Sequence, residues 1–539
     1  MMETRLLQPN TEGIEQAARL LADGGLVAIP TETVYGLAAN ALNSAAVASI
    51  FTAKGRPSDN PLIVHIADEA DWAPLVTHIP DNARALANAF WPGPLTIILP
   101  AANCVPKEVT GGLTTVAVRF PSHPIAQAVI LASGCPLAAP SANRSGSPSP
   151  TNSARVIEDM NGRIDAIVDG GNCDVGVEST VIDLCHTPPR LLRPGGITPA
   201  MLEEVLGPIE IDSAVTEALQ EGAVAASPGM KYKHYAPRAE ICIVKGSPTA
   251  YANFVNAHKV EGTAALCFDE DIPSLSAPCV SYGSRRDALS QARQLFDALR
   301  QLDEQGARTV YAACPVPEGV GLAVYNRLIR AAAFRLIPAI QVVGLTGPSG
   351  AGKTTVSDTW KAQGAYIIDT DKLARQVVEP DSPCLHQLVA TFSDAILNVD
   401  GTLNRAELAD RAFSTAETAQ QLNAITHPAI LELTKQQLFA AADAGYETAV
   451  VDAPLLFEAG FDTLCDHIVA VIAPSDKRLA RIMARDGIIE EAARKRMAAQ
   501  QPDAYYTRQG VTVLHNDATP DDLREQAEAL WQRIGGWSL

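Results

Sequence analysis

The segment GPSGAGKT at 347–354 has the spacing G-x-x-x-x-G-K-[ST], which suits it to hold a chain of phosphates. It follows an apolar run, IQVVGL, and precedes a helix-forming stretch, TTVSDTWKAQG, so backbone N–H groups can gather at a helix N-terminus. In such a loop Gly347, Ser349, Gly350, Ala351 and Gly352 shape the cradle. Lys353 neutralises the β and γ phosphates, and Thr354, followed by Thr355, offers a hydroxyl to Mg²⁺. A plain glycine turn is the competing reading.

A phosphate loop names a nucleotide and no acceptor. In AYIIDTDKLAR, Asp369 and Asp371 fall at the end of an apolar strand, where open α/β sheets bind ligands. One carboxylate there could take a proton from an acceptor hydroxyl, whereas capping of the next helix by Asp371 is the alternative. A second strand, TAVVD, ends in Asp452, a candidate outer ligand of Mg²⁺ or an ordinary strand-end aspartate. Arg478, Arg481 and Arg485 recur at i, i+3 and i+7, so a helix would show them on one face. That face could close over a triphosphate, or be a solvated stripe balanced by Glu490 and Glu491.

A different set of polar residues occupies the N-terminal part. IPTETVYGLAAN takes an apolar strand into a turn with Thr31, Thr33 and Tyr35 beside Glu32. In KGRPSDNPLIVHI, Lys54 and Arg56 project to one side if extended and could clamp an anion, with Asn60 and His65 following; a salt-bridged surface loop is the alternative. TTVAVRFP offers Thr115 and Arg119 on one strand face. APSANRSGSPSPT reads as a loop with Ser141, Asn143 and Ser149 as donors, and VESTVIDL and LLRPG add Ser179 and Arg193. No Walker loop is present here, so a nucleotide would need another scaffold.

The elements that must position these groups divide a chain of 539 residues, too long for one core. The fold class is α/β throughout. Residues 1–205 alternate short β-like runs with Ala-rich helices, a mixed α/β domain. Residues 206–237, ending in SPGMKYKHYAP, read as a connector, and 238–338 as a small Rossmann-like α/β domain. Its helix at 287–305 lines Ala288, Leu289, Ala292, Leu295, Phe296, Leu299 and Leu302 along one face. Residues 340–539 form a P-loop domain with a parallel sheet.

The 42 Lys and Arg against 61 Asp and Glu leave a net charge of −19, which repels phosphate backbones and speaks against direct nucleic-acid binding. Ten cysteines without a C-x-x-C pair suit a reduced, cytoplasmic setting. No run of 18 apolar residues suggests a membrane span.

Two resemblances add to this. GLTGPSGAGKTTV, IIDTDKLARQVVEP, LNRAELADRAF, LNAITHPAI, PLLFEAGFDTLCD and the run from Arg485 to Gln500 resemble the dephospho-coenzyme A kinase family over residues 342 to about 520. This implies that Asp371 is the base for the ribose 3′-hydroxyl of dephospho-coenzyme A, with His427 and Pro428 in a helical acceptor-binding insertion. Leu431 stands where an Arg commonly follows the HPxI motif, a departure that bears on one acceptor contact.

PTETVYGL, KGRPSDNPLIVHI, SANRSG, VESTVID and LRPG resemble the threonylcarbamoyl-AMP synthase family and its YrdC-like domain. The likeness extends through SPGMKYKHYAP and GVGLAVYNRLIRAAA, as in the two-domain form. The resemblance implies conversion of L-threonine, bicarbonate and ATP to threonylcarbamoyl-AMP and pyrophosphate, with a downstream tRNA-modifying transferase as consumer. It places threonine on Thr33, His65, Arg119 and Ser179. It places ATP on Arg56, Asn60, Thr115, Ser141, Asn143, Ser149 and Arg193, with Tyr232 or Tyr235 folding over the nucleotide. Lys54 and Arg56 would offset repulsion between the two reacting anions. The small α/β domain would cover this site. The competing reading is an N-terminal RNA-binding module joined to another small-molecule P-loop kinase; a balance of 12 basic against 20 acidic residues over 1–205 opposes it.

Overall fold

The structure, a computed structural model, describes residues 3–217, 237–508 and 510–536. Tyr232 and Tyr235 lie outside the described residues. The chain divides into two compact units, one reaching to Val244 and including Lys259–Leu336, the other made of Lys245–His258 and the part from Ile337 onward. Lys245–His258, expected in the small α/β domain, is thus grouped with the second unit.

In the first unit eleven short strands form one mixed sheet. Val27–Ile29 runs antiparallel to Gly36–Asn40, and the turn between them carries Thr31, Glu32 and Thr33. Ile63–His65 lies parallel to Thr115–Arg119 in a register that sets His65 opposite Arg119, so two polar side chains meet at one sheet edge. Helix Ser44–Lys54 begins at Asn43, whose side chain accepts from Ala45 and Ala46 N–H, and ends at Gly55 with φ 63°. That left-handed position suits glycine, which has no Cβ to clash. Apolar side chains alternate to the two faces and build two cores, one around Val47, Ile50, Trp72 and Trp91, the other around Leu21, Ile29, Val129 and Val168.

A second sheet in this unit sets the strands Cys279–Ser281, Thr263–Cys267, Thr309–Ala313 and Glu240–Lys245 side by side in that order. These four pair in parallel, which requires crossover connections. Helix Ala288–Glu304 is one of these. Its inner face buries Ala292, Leu295, Phe296, Leu299 and Leu302, but Leu289, expected there, is 47% exposed in the first turn, before the helix reaches its packing surface. This helix lies against the first sheet's loops: a Cβ on Gly176 would overlap the backbone of Ala292 and Arg293, so only a bare α-carbon permits the contact.

The second unit is built on a five-stranded parallel sheet, ordered Tyr366–Asp369, Thr448–Asp452, Gln341–Thr346, His467–Ile472, Val511–His515. Both faces are covered, which is why these strands read as nearly continuous apolar runs. Val343, Leu345 and Val450 face a core with Trp360 and Trp531, while Val342, Ala449 and Val451 face one with Ile430 and Leu438. Between the first two strands of that order the chain inserts helices Thr370–Gln376, Pro383–Phe392, Arg405–Ala412 and Ala416–Asp443, with a satellite core around Leu388, Phe392 and Leu408. Among the described residues no helix is long and apolar enough to cross a membrane.

Candidate active sites

In the second unit the central strand Gln341–Thr346 runs into the glycine loop, and helix Lys353–Ala362 starts at Gly352 with no side-chain cap. The first N–H groups of that helix are therefore presented at the sheet's carboxyl edge, where the macrodipole favours an anion. The loop's shape depends on its glycines. Gly347 has φ 137°, and a Cβ there would overlap the Val471 carbonyl oxygen; Gly352 has φ 112°, and a Cβ would strike the Asn516 amide.

Lys353 Nζ donates to the Gly347 carbonyl at 3.1 Å, curled back over the loop it serves. Burial lowers its hold on its proton, and the carboxylates of Asp452 and Asp371 work against that. Asp371 is exposed on the first turn of helix Thr370–Gln376. The cap of that helix is Asp369, which accepts from Asp371 and Lys372 N–H at 3.1 and 3.2 Å. The capping alternative thus belongs to Asp369, and the Asp371 carboxyl is not used as the cap. His427 and Pro428 lie on helix Ala416–Asp443, and Leu431 packs on the neighbouring core instead of reaching for an acceptor.

The three arginines do share a face of helix Ser475–Asp486, but they grip the glycine loop. Arg478, 5% exposed, donates to the Ser349 carbonyl at 3.1 Å and to Gln500 at 2.9 Å; Arg481 donates to the Gly350 carbonyl at 3.3 Å and to Asn516 at 3.1 Å. Arg485 donates to Ser349 Oγ at 3.2 Å and to its neighbour Asp486. Asn516 in turn donates to the Ala351 carbonyl at 2.7 Å, and Gln500 accepts from Ser349 N–H at 3.1 Å. The solvated-stripe reading fails because Glu490 pairs with Arg494 instead. Gln500 and Asn516 as loop supports were not foreseen: their distance in sequence hides them, and only the parallel sheet's order brings them to the loop.

Asp452 ends the strand beside Asp369, in register with it. Burial pushes its carboxyl up to about 6, against the pull of Lys353. An all-oxygen set of the Asp452 carboxylate and the Thr354 hydroxyl fits Mg²⁺, which takes one or two carboxylates and completes its shell with phosphate and water. A raised acid binds its proton more tightly folded than unfolded, so the ionised form needed here appears only as pH rises through about 6. Phosphotransfer kcat/KM should accordingly fall about tenfold per pH unit below that value; a profile flat to about pH 4.5 would refute it.

In the first unit a partly open cleft lies at the sheet edge, concave and lined by convergent polar groups as small-ligand sites are. Thr33, Lys54, Arg56, His65, Arg119, Ser141, Asn143, Ser179 and Arg193 all line it. Arg119, 3% exposed, donates to Thr33 Oγ1 at 2.9 Å and pairs with Glu32 at 2.8 Å. Burial acts to raise the Glu32 carboxyl, but the Arg119 charge and hydrogen bond outweigh it and keep Glu32 ionised below the usual range. His65 is buried beside that guanidinium and pushed down to about 3, hence a neutral imidazole. Its Nδ1 faces the Ile63 carbonyl at 3.3 Å; with the proton there, Nε2 is an acceptor.

Arg193 donates to the Ser179 carbonyl at 2.9 Å and to Ser179 Oγ at 3.0 Å, and that hydroxyl also meets Thr96 Oγ1 at 2.8 Å. Tyr35 turns away from the cleft, its hydroxyl donating to the Gly171 carbonyl at 2.8 Å.

Three other expected residues fall outside the lining. Thr115 begins the strand that Arg119 ends, about 13 Å distant at the rise of a strand. Ser149 is buried and donates to Glu178 Oε1 at 2.6 Å. Asn60 is 1% exposed, and neither polar atom of its amide has a partner among the described residues, a costly state that a ligand would relieve.

The extended Lys54–Arg56 clamp is corrected. Lys54 is the last residue of a helix, and its buried ammonium donates to the Ser141 carbonyl, to the Asn143 carbonyl at 2.6 Å and to Asn143 Oδ1 at 3.4 Å. Three acceptors use its three N–H donors, so Lys54 holds the loop. The surface-loop alternative fails as well, since Lys54 is 4% exposed.

Fold and geometry together define an enzyme with two places for a nucleotide: a P-loop phosphotransferase site, and a cleft of cations and hydroxyls that has no Walker loop. Family models agree. One described as Telomere recombination matches residues 19–195, one described as Threonylcarbamoyl-AMP synthase, C-terminal domain matches 197–333, and one described as Dephospho-CoA kinase matches 341–522. The threonylcarbamoyl-AMP synthase of Bacillus subtilis (strain 168) is 48% identical over 335 residues, 61% of this chain and 96% of that protein. The dephospho-CoA kinase of Corynebacterium efficiens is 44% identical over 192 residues, 36% of this chain and 96% of that protein. The crystal structure of P. abyssi Sua5 complexed with L-threonine is 45% identical, with a TM-score of 0.59, covering 63% of this chain and 99% of its own. The chain belongs to the threonylcarbamoyl-AMP synthase family over its first three fifths and to the dephospho-CoA kinase family over the remainder.

Proposed function

We propose that the protein carries out two ATP-dependent reactions. The cleft joins L-threonine, bicarbonate and ATP into threonylcarbamoyl-AMP with release of pyrophosphate, and the glycine loop directs the γ-phosphoryl of a second ATP to the 3′-hydroxyl of dephospho-coenzyme A. The observation that carries the first is the convergence of Thr33, Arg56, His65, Arg119, Ser179 and Arg193 on a single cleft. Arg119 meets the threonine carboxylate, and neutral His65 accepts from its amino or hydroxyl group. Arg56, Ser141, Asn143 and Arg193 take the ATP phosphates, with Asn60 using its unpaired amide on the nucleotide. Carbamate oxygen then attacks the α-phosphorus, and flanking guanidiniums offset the repulsion of two anions; holding both in place is most of the catalysis.

At the second site the loop N–H groups and Lys353 hold the phosphates, Arg485 reaches them from the supporting helix, and Asp371 takes the acceptor proton. Mg²⁺ on Thr354 and Asp452 would neutralise phosphate charge as it develops. The threonylcarbamoyl product goes to a tRNA-modifying transferase, and the protein works in the cytoplasm. Pyrophosphate release that needs both threonine and bicarbonate, and ADP formation that needs dephospho-coenzyme A, test the two halves. RNA retention without the former turnover would favour a binding module, and equal turnover with nucleoside monophosphates would defeat the acceptor assignment.

A further inference from the structure

Among the described residues, Arg327 is a charged side chain with no solvent exposure at all. It belongs to helix Gly321–Ala331 of the small α/β domain, yet all its partners but one lie in the other domain of the first unit. Its Nε donates to Glu178 Oε2 at 2.9 Å, Nη2 to the Glu178 carbonyl at 3.2 Å, and Nη1 to the Pro194 carbonyl at 2.6 Å and to the adjacent Asn326 at 3.1 Å. Glu178 and Pro194 are the chain neighbours of Ser179 and Arg193, the pair hydrogen-bonded to each other on the cleft wall. Glu178 lines the cleft itself, and its other oxygen accepts from Ser149. One guanidinium therefore staples both strand ends from which that wall is made, and orients the carboxylate that holds Ser149.

A buried ion pair is poor evidence of stability, because desolvation offsets most of the attraction. Its value lies in geometry: a planar fork with donors in fixed directions sets two backbones and one carboxylate relative to each other. We propose that Arg327 is a positioning residue for adenylate formation. It fixes one edge of the cleft, Glu178 and Arg193, and through Glu178 the buried Ser149 behind it, without lining the cleft itself. The small domain thus completes the site instead of merely covering it. Burial acts to raise the Glu178 carboxyl, and the charges of Arg327 and Arg193 outweigh it, so Glu178 stays ionised while Arg327 is in place.

This rests on the synthase reading, so the test starts from wild-type pyrophosphate release dependent on threonine and bicarbonate; its absence would sink that reading and not this inference. With that activity present, Arg327→Met should raise KM for ATP by about tenfold or more with kcat changed by less than about threefold. Threonine affinity of the enzyme alone, measured by calorimetry, should fall by no more than about threefold, because Thr33, His65 and Arg119 are held by other strands and only Ser179 adjoins the stapled segment. Arg327→Lys keeps a cation for Glu178 but cannot span the carbonyls, and should fall between the two with KM up by at least about threefold. A wild-type KM for ATP in Arg327→Met would overturn the proposal, as would equal loss of ATP and threonine binding, which marks general collapse. If Arg327→Met does not fold, Arg327→Lys decides: wild-type KM there overturns the proposal, and a raised KM with threonine binding kept supports it.

Discussion

Lys353→Ala is expected to cut dephospho-coenzyme A-dependent ADP formation by about 10²- to 10³-fold, the loss typical when one preorganised donor to a developing charge is removed. The same variant should leave threonine-dependent pyrophosphate release within about twofold of wild type, because the residues lining the other cleft run only from Thr31 to Arg193. The Lys353 side chain is half-buried and touches its own loop through Gly347, so removal takes away a charge without opening a core. The glycine loop stays in place, held by Arg478, Arg481 and Asn516. Initial rates of both reactions on one preparation give the comparison. Loss of both would break the independence of the two sites.

Arg56→Ala is the converse experiment. With Lys54 committed to the 141–143 loop, Arg56 is a cation of the cleft lining close to it in sequence, and it donates to the Pro61 carbonyl at 3.2 Å. Truncation should lower pyrophosphate release by about a hundredfold, since a charge-assisted contact to phosphate in a partly dry cleft is worth about 1.5–3 kcal/mol before any transition-state preference. ADP formation at the P-loop should be unchanged. Release within about threefold of wild type would return the anion-binding role to Lys54.

Much of the second site was legible because a phosphate loop acts through backbone, and backbone conformation is written in glycine spacing. Gly347 and Gly352 show positive φ at the positions where a Cβ would hit a neighbour. The arginine stripe was legible as a stripe, but its target was not, since helix periodicity gives a face and never its partner. In the cleft, hydroxyls and cations were found from their types, while their roles depended on where each element ended. Lys54 and Arg56 seemed equivalent two residues apart. A left-handed Gly55 between them ends a helix, and the two side chains part company. Arg327 and Glu178 stand 149 residues apart, and no local pattern could pair them.

The capture of Lys54 has a chemical consequence. An ammonium whose three protons all rest on amide oxygens, and whose proton affinity burial sets well below that of an ordinary lysine, has no lone pair facing a reagent while the 141–143 loop is seated. Once the loop lifts and the amine meets water, the burial that lowered its proton affinity is gone, and it reacts as an ordinary exposed lysine. Acylation at that one amine therefore clocks how often the loop lets go.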